Sequence, residues 1–278
     1  MTTRLAKLHA TGNDFLVAAA PGPDAATAAW LCDRHRGVGA DGLIVLGPGR
    51  DGADCTMTLW NADGHQAEMS GNGIRCLAWV AAQQGLGTGD ELTVGTAAGR
   101  RRVDLDRDPR SGALRYATVD MGPVTFDPAA IPFTGASAFD VDATYHGVVY
   151  HGDAAGVGNP HLVLLVDDVD AARVAQHGPH LEVDPRFPQR TNVEFVTVTA
   201  PDALRLRVWE RGVGETLSCG TGACAAAAVA HRRDLVGPHV AVHVAGGVLD
   251  VELGATTRLG GPVTHVFDVE VDLPEERP

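Results

Sequence analysis

The sequence predicts an α+β protein of two pseudo-symmetric domains, and three observations carry that prediction. Ser70-Gly71-Asn72-Gly73 opens one run of apolar and small residues, and Cys219-Gly220-Thr221-Gly222 opens another 149 positions later. Gly12-Asn13-Asp14-Phe15 and Gly158-Asn159-Pro160-His161 repeat the echo at a step of 146. Between these landmarks lie many short strand-like stretches and few helical ones, without the regular alternation of a doubly wound sheet. A period this long is not that of a solenoid, so the chain reads as a duplicated half, each copy offering one helix start to a shared cleft.

In chain order, Leu5 to His9 and Phe15 to Ala19 read as strands joined by the turn-rich Ala10 to Asp14. Asp24 caps a helix expected to run from Ala25 to His35. Leu43 to Leu46 and Cys55 to Asn61 are strands, followed by the turn Asn61-Ala62-Asp63-Gly64 and a helix from Gly71 to Gly85. Strands are expected at Leu92 to Thr96, Arg101 to Leu105 and Leu114 to Asp120, with a domain boundary at Met121-Gly122-Pro123. In the second half, Tyr145 to Tyr150 and Leu162 to Val166 are strands, and Asp170 is expected to cap a helix into Gln176. Asn192 to Thr199 and Leu204 to Glu210 are strands leading to the Cys219 turn. An alanine-rich helix follows, since Ala225 to Ala230 is helical by propensity. Val240 to Val244, Val248 to Leu253 and Val263 to Val271 complete the strands.

At 278 residues there is chain enough for two cores. The N-terminus has no long apolar stretch and no run approaches a membrane span, so a cytoplasmic protein without a membrane partner is expected. The net charge of −13 disfavours nucleic acid, which rewards clustered Lys and Arg; Arg100-Arg101-Arg102 is the one dense basic run. Five cysteines, without Cys-x-x-Cys spacing, argue against a disulfide framework and against a zinc site, so no metal is expected. Lys7 is the single lysine and sits in a strand, which disfavours pyridoxal-type Schiff-base chemistry.

Cys219 before Gly220-Thr221-Gly222 places a thiol at a helix N-terminus, where unpaired N–H groups favour a thiolate or a ligand carboxylate. Gly220 to Ala225 also fits a G-x-G-x-x-A dinucleotide fingerprint, but the βαβ context and an acidic ribose partner are missing. A cysteine-hydrolase reading would need a base beside Cys219, for which His161 is the candidate. Asn13, Asn61, Asn72, Asn159 and Asn192 each adjoin a turn or strand end. With Glu210-Arg211 and two helix starts, they suit a small ligand with several charges and at least one carboxylate.

Seven motifs in order give a resemblance over nearly the whole length. They are His9 to Phe15, Arg36 to Gly42, Asn61 to Gly64, Glu68-Met-Ser-Gly-Asn-Gly-Ile-Arg-Cys76, Gly158 to His161, Asn192 to Phe195 and Glu210 to Gly222. With them the chain resembles the diaminopimelate epimerases, cofactor-independent enzymes of lysine and peptidoglycan-precursor biosynthesis. The resemblance implies mixed sheets wrapped around a central helix in each domain, with the active site in the interdomain cleft. The implied domains are 1–121 and 122–262, with 263–278 returning to the first. It also implies no cofactor, a homodimer, and interconversion of LL- and meso-diaminopimelate by two groups that take and return the α-proton on opposite faces.

Carried over by position, Cys219 matches one proton-transfer cysteine. Gly71, Asn72, Gly220 and Thr221 match the segments holding the α-carboxylate. Asn13, Asn61, Asn159, Asn192, Glu210 and Arg211 match substrate-binding positions, and His161 and Glu210 match positions supporting the catalytic geometry. Gly42 stands where some members carry a substrate-touching glutamine. Ser70 stands where the family has its other cysteine. A hydroxyl donates a proton but seldom accepts one without a neighbouring base. Cys76 does not replace it, because six residues along a helix turn its side chain by roughly 240°. The serine is compatible with a slowed epimerase, with an engineered cysteine-to-serine change, with a racemase, epimerase or dehydratase of another amino acid such as a hydroxyproline, or with an inactive amino-acid-binding protein.

Overall fold

The computed structural model describes residues 2–20 and 22–273. The chain divides into two compact units, Met1–Asp120 with Gly260–Pro278, and Met121–Leu259. In the first, β1 (Thr2–Ala10) and β2 (Asn13–Ala19) form a hairpin, and α1 (Ala25–Cys32) leads to β3 (Gly42–Pro48), parallel to β2. β4 (Cys55–Asn61) and the two-residue β5 (Gln66–Ala67) follow antiparallel. α2 (Gly71–Gln83) then crosses to β6 (Glu91–Thr96), parallel to β4, which turns back into β7 (Gly99–Arg107) and β8 (Leu114–Gly122).

The second unit repeats this connectivity. After the short β9 (Ala143–Tyr145), β10 (Val148–Gly156) and β11 (Pro160–Leu165) form a hairpin, and α3 (Val174–Glu182) leads to β12 (Asn192–Ala200), parallel to β11. β13 (Ala203–Glu210) and β14 (Gly214–Thr216) are antiparallel additions, and α4 (Gly220–Arg232) crosses to β15 (His239–Val244), parallel to β13. β16 (Gly247–Leu253) turns back on β15, β17 (Thr257–Pro262) follows, and β18 (Thr264–Asp272) pairs antiparallel with β1. Parallel neighbours need a crossover, and here each of the four has a helix in it. Of the segment 263–278 expected to return to the first domain, residues 274–278 lie outside the described residues.

Each unit is organised around one buried helix. α2 packs on β1, β2, β3, β4 and β7, and α4 on β10 to β13, β15 and β16. Every residue of α4 from Gly222 to Ala230 is buried, as expected of a helix apolar on all sides. Its alanines keep the helix close to the sheet. A separate core of the second unit gathers Leu162, Leu164, Val193 and Phe195 with Phe133 and Phe187, each large apolar side chain contributing about 2 kcal/mol on burial. Leu5, Leu16, Leu31 and Leu43 form the matching layer under α1.

Three expected elements differ. The first helix stops at Cys32 and not near His35, because the Asp33 carboxylate takes the N–H groups of His35 and Arg36 at 2.7 and 2.9 Å. Asp170 does not cap a helix: its carboxylate is held by Arg205 at 2.8 Å, and α3 begins at Val174 with no side-chain cap. Tyr145 to Tyr150 is not one strand but a hairpin, with Tyr145 opposite Val148 and both turn residues at positive φ, His146 at 48° and Gly147 at 77°. A His-Gly pair is a weaker turn signal than Asn-Gly, and so the fold-back is hidden in the sequence. Arg102 of the basic run is spent on β7 against Glu91 and Asp104.

Candidate active site

The two helix starts are built alike. Ser70 is the N-cap of α2 and its hydroxyl accepts from Gly73 N at 3.0 Å. Cys219 is the N-cap of α4 and its sulfur accepts from Gly222 N at 3.4 Å. α2 and α4 are each 13 residues long and begin 149 positions apart, at Gly71 and Gly220. Each places a hydroxyl or a thiol at the positive end of a helix dipole.

Around Cys219 the second unit assembles a polar cluster. Thr221 Oγ1 lies 3.5 Å from the sulfur, and Asn159 donates to that hydroxyl at 3.4 Å. Asn159 Oδ1 faces His161 Nε2 at 2.8 Å, and His161 Nδ1 faces Glu194 Oε1 at 2.7 Å, with both side chains fully buried. Glu210 accepts from Thr216 at 2.5 Å, and its charge is felt at the Cys219 sulfur. The strand register explains the convergence. His161 pairs with Asn192 and Val193 with Trp209, so His161, Asn192 and Glu210 stand in one row at the strand ends.

Burial raises the Cys219 thiol well above its ordinary range, and the charges of Glu210 and Glu194 add to the rise. The hydrogen bonds from Thr221 and Gly222 N act the other way. Burial also raises the Glu210 carboxyl, opposed chiefly by its bond from Thr216. The resting pair is therefore a protonated thiol on a carboxyl of increased basicity.

In the first unit, Asn13 opens β2. Its amide donates to Asp41 at 2.7 Å and its carbonyl accepts from Asn72 at 3.2 Å. Asn72, in the first turn of α2, also accepts from the fully buried Arg75, which in turn donates to the Gly71 and Pro262 carbonyls. Behind Asn13, Asp14 binds Lys7 at 2.5 Å and Arg34 at 2.7 Å. Burial works to raise the Asp14 carboxyl, but the Arg34 and Lys7 bonds prevail and hold it well below the usual carboxylate range. Lys7 is thus committed to an ion pair and to the Gly39 carbonyl. Asn61 ends β4 exposed, opposite Gly42, and its backbone closes the turn to His65.

The turn after β13 that carries Arg211 is strapped down. Asn192 accepts from Arg211 N at 3.0 Å and donates to the Pro160 carbonyl at 2.9 Å, so its side chain serves the backbone. Arg211 itself is exposed and reaches the Gln189 carbonyl at 3.2 Å. Glu182, at the end of α3, accepts from Gly212 N at 3.0 Å and from Trp209 Nε1 at 2.8 Å. Arg75 leaves a signal, a charged residue in an otherwise apolar helical run, whereas Glu182 leaves none because its partners Trp209 and Gly212 lie 27 and 30 positions away. Cys76 is fully buried, and burial pushes its thiol up to about 12. Among the described residues no three His, Cys, Asp or Glu side chains are placed to hold a metal ion.

The diaminopimelate epimerase family model matches residues 5–126 and 154–266. The chain belongs to the diaminopimelate epimerase family. It is 40% identical over 274 residues to the diaminopimelate epimerase of Pelotomaculum thermopropionicum, covering 95% of this chain and 97% of that one. Against the diaminopimelate epimerase of Xanthomonas euvesicatoria it is 42% identical over 278 residues, covering 96% and 95%. A crystal structure of a hydroxyproline epimerase from Agrobacterium vitis superposes with a TM-score of 0.73 at 20% identity, covering 97% of this chain and 92% of that one. At that identity the likeness is one of fold, and it fits the α+β architecture found for this diaminopimelate epimerase family member. No helix among its described residues is long and apolar enough to cross a membrane.

Proposed function

We propose that this chain is an isomerase of lysine biosynthesis that interconverts LL- and meso-2,6-diaminopimelate without a cofactor, using Cys219 and Ser70 as its two proton-transfer groups. The observation that carries the reading is the Cys219 thiol as N-cap of α4, with the charge of the Glu210 carboxyl acting on it. Glu210 takes the thiol proton, and the thiolate removes the substrate α-proton. The electron pair left behind moves towards the α-carboxylate, where the N–H groups of Gly71, Asn72, Gly220 and Thr221 stabilise it. Ser70 gives its hydroxyl proton to the other side of the carbon and recovers one from solvent, while Glu210 releases its proton to solvent. Asn13, Asn61 and Asn159 bind the reacting end, and Arg211 the remote amino-carboxylate end on a loop that Asn192 and Glu182 hold.

A serine at position 70 makes one half of this exchange the slow half, because an alkoxide base is hard to form. The test is proton exchange in deuterated water. Uptake of α-deuterium together with conversion of LL- to meso-isomer is expected, and an enzyme that binds diaminopimelate with neither would overturn the reading. The working form is proposed to be a cytoplasmic homodimer, and sedimentation at the monomer mass would exclude the dimer.

A further inference from the structure

Five side chains of the second unit form one unbroken run of hydrogen bonds ending at the sulfur. Glu194 meets His161 Nδ1 at 2.7 Å, His161 Nε2 meets Asn159 Oδ1 at 2.8 Å, Asn159 Nδ2 meets Thr221 Oγ1 at 3.4 Å, and Thr221 Oγ1 meets Cys219 Sγ at 3.5 Å. The chemistry above uses the last of these and gives the first no part. Glu194 nonetheless occupies a place shaped for it. Its carboxyl is fully buried, its second oxygen has no hydrogen-bond partner, and a Cβ on Gly222 would come within 2.8 Å of its first.

The run has a direction. The Asn159 carbonyl can only accept, so His161 Nε2 donates to it. Asn159 Nδ2 then donates to Thr221, whose single hydroxyl proton is left for the sulfur. If the amide turned over, Thr221 would donate to Asn159 and the sulfur would lose that donor. With Nε2–H donating to Asn159, a carboxylate that accepts from Nδ1–H holds the ring as an imidazolium, fixes its plane and keeps Nε2–H aimed at Asn159. Glu194 itself is fully enclosed by the protein.

We propose that Glu194 is a positioning residue that, through His161 and Asn159, aims the Thr221 hydroxyl at Cys219 and so stabilises the thiolate. The inference rests on Cys219 being the proton-transfer thiol. The charged and titratable groups facing the sulfur are Glu194 from β12, His161 from β11 and Glu210 from β13, with the first-turn N–H groups of α4. The bare charge of Glu194 disfavours a thiolate, opposite in sign to its effect through the run. This opposition makes the experiment decisive.

The measurement is the iodoacetamide alkylation rate of Cys219 in the free enzyme, located by peptide mass spectrometry. Glu194→Gln is expected to slow alkylation about tenfold, the scale of one hydrogen bond to a charged group. In a Thr221→Val background the same change is expected to cause no slowing, since the run is already cut. Faster or unchanged alkylation in Glu194→Gln, or equal slowing in both backgrounds, would overturn the proposal. Should Glu194→Gln fail to fold, ¹⁵N NMR of wild-type histidine decides: His161 Nε2 carries a proton, and an unprotonated Nε2 excludes the run as drawn. Neither readout needs turnover, so an enzyme inert towards diaminopimelate would sink the proposed function while leaving this inference standing.

Discussion

Asn72 donates its side-chain amide to Asn13 at 3.2 Å, and the residues in the corresponding places of the second unit, Thr221 and Asn159, are joined at 3.4 Å. In each copy the first turn of the buried helix is tied to the start of the second strand of a hairpin, Asn13 opening β2 and Asn159 directly preceding β11. The first-turn N–H groups of α2 and α4 are thereby held in place, the condition under which backbone dipoles stabilise developing charge.

Ser70→Cys supplies a group that ionises readily, and conversion is expected to rise on the order of 100-fold, within the range for a positioned acid–base group. In the unaltered enzyme, one isomer is expected to exchange its α-proton with deuterated water faster than it converts, and Ser70→Cys to bring the two rates together. Equal rates for both isomers before the change would show that Ser70 is not the weaker partner.

Glu210→Gln removes the acceptor of the thiol proton, and kcat is expected to fall by about 100-fold or more. Activity in the unaltered enzyme requires the carboxylate, so its rising limb lies at higher pH than an ordinary glutamate would give, because burial raises Glu210. Stability runs the other way. A raised folded-state pKa means the folded protein binds more protons, so the contribution of Glu210 is present below the ordinary glutamate range and is lost as pH rises through the raised value. Chemical denaturation should show Glu210→Gln stabilising at pH 8 relative to pH 4. A pH-independent difference would contradict the burial argument.

Asp14→Asn leaves the buried Lys7 ammonium without its partner, at a cost of about 3 kcal/mol at pH 7. Because the folded-state pKa is depressed, this contribution is present above the ordinary aspartate range and fades as pH falls through the lowered value. Urea midpoints of the two proteins should therefore converge in strong acid. A gap of the same size at pH 7 and pH 2 would be inconsistent with the ion pair.

Gly222→Ala adds a methyl 2.8 Å from Glu194 Oε1. Alanine in place of glycine would stabilise a free helix by about 1 kcal/mol. Here the clash dominates, because the carboxyl is enclosed and already fixed to His161. A lowered melting temperature and at least a tenfold loss of epimerisation are expected. A more stable variant of full activity would mean the carboxyl has room to retreat.

The sequence exposes this fold where local chemistry and tertiary role coincide. Both helix starts are legible because a capping side chain, glycines and an apolar run must all be local. The strand-end asparagines are legible for the same reason, although Asn192 spends its amide on Pro160 and Arg211 N. Partners brought in by register are not. Glu194 lies beside His161 only because β11 and β12 run parallel, and Glu182 reaches Gly212 from 30 positions away. Asp170 misleads, since its pull towards a helix N-terminus is weaker than a two-pronged bond to Arg205 on a distant strand.

The repeated connectivity has a genetic consequence. Were the two copies separate identical polypeptides, every codon change would appear twice, and a thiol lost from one helix start would be lost from both. Linked in tandem, the halves drift on their own: position 70 holds a hydroxyl while position 219 keeps its sulfur, and Phe15 and Asn61 stand where the other copy has His161 and Glu210. Fusion is what permits a protein of mirrored plan to be chemically lopsided.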